Sequence, residues 1–482
     1  MRKLEEILSG VEIESKINSR NTDISNIHFD SRKIRKNDLF VAINGTISNG
    51  HDFIEQAIEN GAIIIVCEKF PKNINENISY YKVKNSNIAL AIIAHNFFDK
   101  ASQNIKLIGI TGTNGKTSIA THLYQLFSNL GYKCGLVSTV ENIIGTEHFP
   151  STHTTPDPIQ LNYLLGKMVE AGCEYCFMEV SSHAIVQHRI GGLSFAGGVF
   201  TNLTHEHLDY HKTFKEYIAA KKMFFDNLPK NAFALINGDD KNSKIMVQNC
   251  MANIKTYAMK SFADFSCKIL EISFEGMLLK IDKQEVWTKF IGEFNAYNFL
   301  AVYSTAILLN AKNEEIMPVL SNLENVKGRF EIVKSKSGKF AIVDYAHTPD
   351  ALKNVLLAIR KVAKSEKVIT VIGAGGNRDK SKRPLMAKTV VGNCDIAIFT
   401  SDNPRNEKPD DIINDMLSGL SKSDENKAIT IQNRKEAIKT ACMMASEKDI
   451  ILIAGKGHEC TQEIENVKYP FDDKEVFSSL NC

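Results

Sequence analysis

The sequence predicts an α/β protein of three domains. A central P-loop-type, mostly parallel sheet stands between a small N-terminal α/β domain and a C-terminal doubly wound, Rossmann-like domain. Three observations carry that expectation. The 482 residues exceed what one hydrophobic core commonly supports. Apolar runs of strand length alternate with helical segments over most of the chain, as a parallel sheet covered on both faces requires. Residues 106–118, KLIGITGTNGKTS, pass from an apolar strand through a Gly-rich turn into Lys-Thr-Ser at a helix start.

The first hundred residues carry short apolar runs, LFVAI at 39–43 and AIIIVCE at 62–68, set apart by turn-rich stretches such as NGTISNGHD. The polar DKASQNI at 99–105 marks a boundary, so the first domain is taken as 1–103. From Lys106 the pattern is strand, loop, helix. KLIGIT is a strand, and KTSIATHLYQLFSNLGY has apolar residues at helical spacing. CGLVST, YCFMEVSS, GGVFTNL and AFALING read as further strands. KILEIS and MLLKI alternate in hydrophobicity and predict an antiparallel insertion between about 255 and 290, before a helix in NAYNFLAVYSTAILL. A second boundary near GRFEIV gives a central domain of 104–330 and a third of 331–482. There FAIVDYA, KVITVIGAGG, DIAIFTSDNP and DIILIAGKGHE are apolar strands ending in polar or Gly-rich residues. In such sheets ligands sit at the C-terminal strand ends.

Composition removes several function classes. Charged residues make up 24% and nearly cancel to a net +2, so no nucleic acid is expected as partner. No stretch reaches ~18 uninterrupted apolar residues, so no membrane span is expected. The opening MRKLEEILSG alternates charged and apolar residues, unlike the apolar core of a signal peptide. Among ten scattered cysteines only Cys173 and Cys176 form a C-x-x-C, and these read as two core thiols. The chain reads as cytoplasmic, with reduced thiols.

TGTNGKT does not meet the general phosphate-loop spacing, because Ile110 stands where the first glycine belongs. The physics survives that mismatch. Gly112 and Gly115 allow backbone N–H groups to converge on a phosphate at the positive end of the following helix. Lys116 supplies a mobile cation and Thr117 a hydroxyl for Mg²⁺. Glu179, where the run YCFMEV emerges beside the loop, offers the kind of hard oxygen Mg²⁺ takes. His205, His207 and His211 cluster in THEHLDYH, but no partner Cys or His follows at finger-like spacing, so zinc is not expected.

Together these residues resemble the Mur ligase family of ATP-dependent amide-forming enzymes, whose phosphate loop has this form. The resemblance covers essentially the whole chain. Its motifs are DSR at 30–32, MEVSSHAIVQHR at 178–189, TNLTHEHLDYH at 201–211, GRFE at 328–331, VDYAHTPDAL at 343–352, NRDKSKRP at 377–384, DNPR at 402–405 and AGKGHE at 454–459. It implies a cytoplasmic, monomeric enzyme of peptidoglycan synthesis that binds uridine nucleotide, ATP and an amino acid in its three domains in turn. It further implies that ATP phosphorylates the terminal carboxylate of a UDP-N-acetylmuramoyl dipeptide, and that the amine of meso-diaminopimelate displaces phosphate.

The resemblance also assigns residues. Thr117, Glu179 and His207 would hold or approach Mg²⁺, with Lys221 as a carbamate; Lys222 is its rival. Gly112, Thr113, Asn114, Gly115, Lys116, Thr117 and Ser118, with Asn295, Arg329 and Asp344, would contact ATP. Ser31, Thr154, Thr155, Ser182, Gln187 and Arg189 would hold the UDP-substrate. Arg378, Asp402, Asn403, Pro404, Arg405, Gly455 and Glu459 would hold diaminopimelate. Arg405 suits its far carboxylate and repels the bare ammonium of lysine. Glu206 in place of Asp, Lys212 in place of Gly and His153 before Thr154 depart from the family's commoner forms. Alternatives are a lysine-adding relative, a folylpolyglutamate-synthase-like ligase, or a nucleotide-binding switch that makes no product.

Overall fold

In a computed structural model, which describes residues 1–45, 48–204 and 208–481, three large sheets follow one another along the chain, with a two-stranded ribbon beside the first and another beside the third. The first has five strands in the order Ile13–Ile17, Ser79–Val83, Ala62–Cys67, Asp38–Val41, Ile27–His28, all parallel except the Ile13–Ile17 edge. Helix Ser86–Phe97 buries Ala89, Leu90, Ile93 and Ala94 on one side of it, with Leu39, Val41, Ile64 and Val66 opposite.

The second sheet has eleven strands, and Lys106–Thr111 lies within its parallel part, between Tyr175–Glu179 and Gly197–Phe200. Being flanked on both sides and covered on both faces explains its unbroken apolar reading. The next helix, Lys116–Asn129, buries Ile119, Ala120, Leu123, Leu126 and Phe127, the stripe that a 3.6-residue period places on one face. Helix Glu293–Leu308 is buried over nearly its whole surface, which accounts for its lack of amphipathic pattern. The alternating segments do form an antiparallel meander, Phe265–Ser273, Gly276–Ile281 and Gln284–Thr288. It is continuous with the central sheet, because Tyr257 and Ala258 pair with Phe265 and Ser266 in parallel.

The third sheet runs Glu331–Lys334, Phe340–Asp344, Ile450–Ala454, Val368–Ile372, Ile396–Phe399, Ala428–Thr430. All but the Glu331–Lys334 edge are parallel. Two separate cores lie on its faces. One is built from helices Pro349–Val362, Lys382–Val391 and Pro409–Leu417, the other from Arg434–Met444 and Asp473–Ser479. That is the doubly wound arrangement. Among the described residues no helix is long and apolar enough to cross a membrane. Cys173 and Cys176 are buried thiols in the central core beside Met168 and Leu165, as expected. Cys442, by contrast, is disulfide-bonded, an exception to the expectation of reduced thiols.

Candidate active site

The phosphate loop hangs between Thr111 and the helix that begins at Lys116. Gly112 has φ +149°, and a Cβ there would lie 1.9 Å from Thr201 Oγ1, so only glycine fits. The neighbouring strand's continuation, Thr201-Asn202, pins the loop. Thr201 Oγ1 donates to Asn114 O (2.6 Å), Asn114 N donates to Asn202 Oδ1 (3.0 Å), and Thr113 N donates to Asn202 O (2.9 Å). Lys116 Nζ bends over the loop and donates to Gly112 O and Thr113 O at 3.0 and 2.6 Å. Thr117 and Ser118 are buried in the first helical turn.

Glu179 ends the adjacent parallel strand and is 1% exposed. Its Oε1 accepts Thr139 N at 2.6 Å, and its carbonyl accepts Thr155 Oγ1 at 2.8 Å. Thr139 Oγ1 in turn donates to Thr154 Oγ1 (3.1 Å). Lys221, on helix Phe214–Asp226, is not a solvated charge on an amphipathic face. It is 1% exposed, its Nζ donates to Gly112 O at 2.8 Å, and it lies 4.9 Å from the Tyr217 ring centre. Its rival Lys222 ion-pairs with Asp226 one turn on (2.7 Å). The donors gathered here, the Glu179 carboxylate and the Thr117 hydroxyl, are hard oxygens that fit Mg²⁺, while no group of three or more His, Cys, Asp or Glu suited to a metal forms among the described residues. His207, with Glu206, lies outside the described residues.

The third sheet reaches over the loop. Arg329 Nη2 donates to Thr117 Oγ1 (3.1 Å), and the guanidinium lies 4.4 Å from the Tyr345 ring centre. Asn114 Nδ2 donates to Asp350 Oδ2 (3.3 Å). Asp344 accepts from the amides of Phe330 and Ala346, both at 2.7 Å; burial pushes its carboxyl up, against the opposing pull of Arg329. Asn295 donates to Ile291 O (2.9 Å) at the start of its helix.

At the C-terminal ends of the third sheet's strands, Asn403 bonds Glu459 Oε2 (2.7 Å) and accepts from Lys456 Nζ (3.1 Å). Arg405, at φ +52°, donates from Nη1 to Gly376 O (2.7 Å), and its Nε is 3.3 Å from Glu463 Oε2. Asp402 Oδ1 accepts Asn403 N, while its buried Oδ2 has no hydrogen-bond partner among the described residues and lies 3.9 Å from Arg434 Nη1.

One cavity of about 1190 Å³ is lined by residues of both sheets. It gathers residues 113–118, Thr154, Thr155, Glu179, Ser182, Arg189 and Lys221 with Asn295, Arg329, Asp344, Arg378, Asp402, Asn403, Arg405, Gly455 and Glu459. Four expected residues among those described do not line it: Gly112, whose carbonyl accepts Lys116 and Lys221, and Ser31, Gln187 and Pro404. Ser31 donates to Gln56 Oε1 (2.7 Å) within the first domain. Gln187 donates to Tyr210 and accepts from Arg189, whose Nη1 donates to Thr155 O (2.7 Å). Pro404 packs its carbonyl where a Cβ on Gly376 would fall. Thr139, Asp350 and Lys456 escaped sequence reasoning. Lys456 and Asp350 stand inside quoted motifs, whereas Thr139 carries no signal without its neighbour Glu179.

The chain matches three family models: "Mur ligase family, catalytic domain" over 23–98, "Mur ligase middle domain" over 110–306 and "Mur ligase, glutamate ligase domain" over 328–457. It is 55% identical to the UDP-N-acetylmuramoyl-L-alanyl-D-glutamate--2,6-diaminopimelate ligase of Phocaeicola vulgatus, over 99% of each chain. A solved structure of a ligase of that name is 30% identical, with a TM-score of 0.69 over 98% of this chain and 97% of the other. The MurF ligase from Thermotoga maritima, solved in complex with ADP, shares the fold at 20% identity, a TM-score of 0.63 and coverage of 89% and 93%.

Proposed function

The chain belongs to the Mur ligase family, and from that premise we propose that it joins meso-diaminopimelate to UDP-N-acetylmuramoyl-L-alanyl-D-glutamate with ATP as co-substrate, as its relatives' names describe. It is an ADP-forming ligase of peptidoglycan synthesis. The observation that supports this reading best is the shared cavity, in which the phosphate loop and Glu179 face Arg378 and Arg405 from another sheet.

The chemistry follows from charge. A carboxylate must attack the γ-phosphate of ATP, and both are anions. Lys116, now folded onto the loop carbonyls, would swing to the terminal phosphates, and backbone N–H groups of the loop would cradle the others. Thr117, Glu179 and Lys221 as a carbamate, with His207, would hold Mg²⁺. When bound, Mg²⁺ supplies positive charge at the phosphate oxygens. A carbamate on Lys221 would turn a buried cation beside the loop into an anionic ligand. Arg189, Thr154, Thr155 and Ser182 would hold the dipeptide end of the UDP-substrate. The acyl phosphate hydrolyses easily, so Arg329 and Asp350, by joining the third sheet to the loop, would keep the site closed to water. The incoming amine then attacks the acyl carbon and phosphate leaves.

Diaminopimelate is lysine with a second carboxylate at its far end. Arg405 would bind that carboxylate by two parallel hydrogen bonds, with Arg378, Asn403 and Gly455 beside it, and Glu459 would take an ammonium. Divisions at 103/104 and 330/331 belong to this reading and leave one of the three large sheets in each part. A monomer in the cytoplasm completes it.

The test is phosphate release with ATP, Mg²⁺ and the UDP-dipeptide, comparing meso-diaminopimelate with L-lysine. Turnover with diaminopimelate alone is the expected result. Turnover with lysine alone would keep the ligase and overturn the amino-acid assignment. Turnover with neither, while ATP binds, would overturn both.

A further inference from the structure

Two loops carry the guanidiniums of the amino-acid pocket. Residues 373–379 leave strand Val368–Ile372 and present Arg378; residues 400–407 leave the adjacent strand Ile396–Phe399 and present Arg405. They touch backbone to backbone. Gly376 N donates to Asn403 O (2.9 Å), and a Cβ on Gly376 would lie 1.9 Å from Pro404 O. Asn377 and Arg405 both hold φ near +52°, a conformation L residues rarely adopt without support.

Beneath the loops lies Arg383, its side chain 0% exposed, at the start of helix Lys382–Val391. Nη1 and Nη2 donate to Glu407 Oε2 and Oε1, both at 2.9 Å, the two-pronged geometry that fixes a guanidinium plane. Nη2 also donates to Gly375 O (3.1 Å) and Nη1 to Asp415 Oδ2 (2.8 Å). Glu407 stands two residues after Arg405, and its Oε1 accepts the amide of Asn377 (2.5 Å), the residue just before Arg378. Lys380 Nζ is 3.2 Å from its Oε2. One ion pair, its arginine buried and its carboxylate partly so, therefore grips both loops: Arg383 through Gly375 O, Glu407 through Asn377 N and through the chain leading to Arg405.

We infer that the Arg383–Glu407 pair is a positioning device that sets the separation of Arg378 and Arg405, and thereby how sharply the pocket distinguishes an amino acid with a distal carboxylate from lysine. The inference rests on the amino-acid reading proposed above. A guanidinium binds a carboxylate through two bonds only when the planes align, so a small shift of either loop weakens the dicarboxylate far more than it weakens lysine.

Asp415 supplies the control. Its carboxylate bonds Arg383 but touches neither loop. The experiment measures KM for ATP, UDP-dipeptide and each amino acid in E407Q, E407D and D415N, with unfolding midpoints. E407Q is expected to raise KM for diaminopimelate about tenfold and to lower its kcat/KM advantage over lysine by a similar factor, a shift of under 1 Å being enough. KM for ATP should stay within about twofold. E407D keeps the charge and should show the same split more weakly; it decides the matter where E407Q does not fold. D415N should lower the midpoint while leaving amino-acid KM unchanged. Equal KM shifts in D415N and the Glu407 variants, or none in either, would overturn the inference. If the wild-type enzyme uses lysine and not diaminopimelate, the proposed substrate fails, and the same comparison of Glu407 with Asp415 variants on lysine KM still decides whether the pair positions the pocket.

Discussion

Replacing Gly112 with alanine strikes the phosphate loop at its tightest point. The new Cβ would lie 1.9 Å from Thr201 Oγ1, where real Cβ contacts stay beyond 3.0 Å, so loop and hydroxyl must part by about 1 Å. Thr201 cannot retreat without giving up its 2.6 Å bond to Asn114 O, worth about 1 kcal/mol. Holding an L residue at positive φ adds about 1–2 kcal/mol. Gly112→Ala should therefore lower stability by about 2–3 kcal/mol, read by urea unfolding. The Gly112 carbonyl also accepts both Lys116 and Lys221, so the shift moves two cations of the site. A misplacement of about 1 Å predicts a loss of roughly 10²-fold in the rate of phosphate release at saturating substrates. Gly131 is the control: at φ +93° with nothing within 4 Å of its Cβ, alanine there carries only the backbone strain and should leave the rate unchanged. A Gly112→Ala enzyme within about threefold of wild type would refute the claim that this loop holds the reacting phosphates.

Lys221→Ala should reduce turnover on the order of 10²-fold or more, whereas Lys222→Ala, which breaks only a helix-surface pair, should stay near wild type; equal effects would sink the assignment. Carbamylation further predicts that wild-type activity falls in CO₂-stripped buffer and returns with bicarbonate. Arg383 holds the Glu407 carboxyl down at about 2 from 4.5, so its stabilisation is complete above about pH 4.5 and is lost as pH falls toward 2. The midpoint difference between wild type and E407Q should accordingly be level above pH 4.5 and shrink below it; a difference that grows on acidification contradicts the pairing. Arg434 and Asp473 form a bidentate pair with both side chains 0% exposed. Arg434→Met should destabilise by about 3–5 kcal/mol, and a urea titration showing under about 1 kcal/mol would mean the pair is not buried in solution.

The loop and its strand–helix setting were legible because their signal is local: an apolar run, two glycines at fixed spacing and a helix start. The same holds for the strands of the third sheet, whose polar ends line the cavity. The burial of Lys221 was foreshadowed only by family resemblance, since nothing in the local sequence marks it rather than Lys222 as the lysine that turns inward to Gly112. The Arg383–Glu407 pair could not be read from sequence, because a buried arginine and a surface one look alike until the two loops above it are placed. Ser31 and Gln187 show the converse. Their motifs were visible, but the side chains are engaged by Gln56, Tyr210 and Arg189 and do not line the cavity. Contact across the seam, such as Arg329 to Thr117, joins residues 212 positions apart and has no local trace.

That seam has a consequence for descent. The residues proposed to handle phosphate come from the central sheet, with Arg329 and Asp350 as the crossing points, while those proposed to choose the amino acid come from the ends of the third sheet. Mutations in the loops at 373–379 and 400–407 can therefore explore new building blocks for the cell wall while the phosphate machinery is inherited unchanged. A graft of those two loops, carried together with Arg383 and Glu407, is the smallest unit that could be exchanged between relatives of different amino-acid taste.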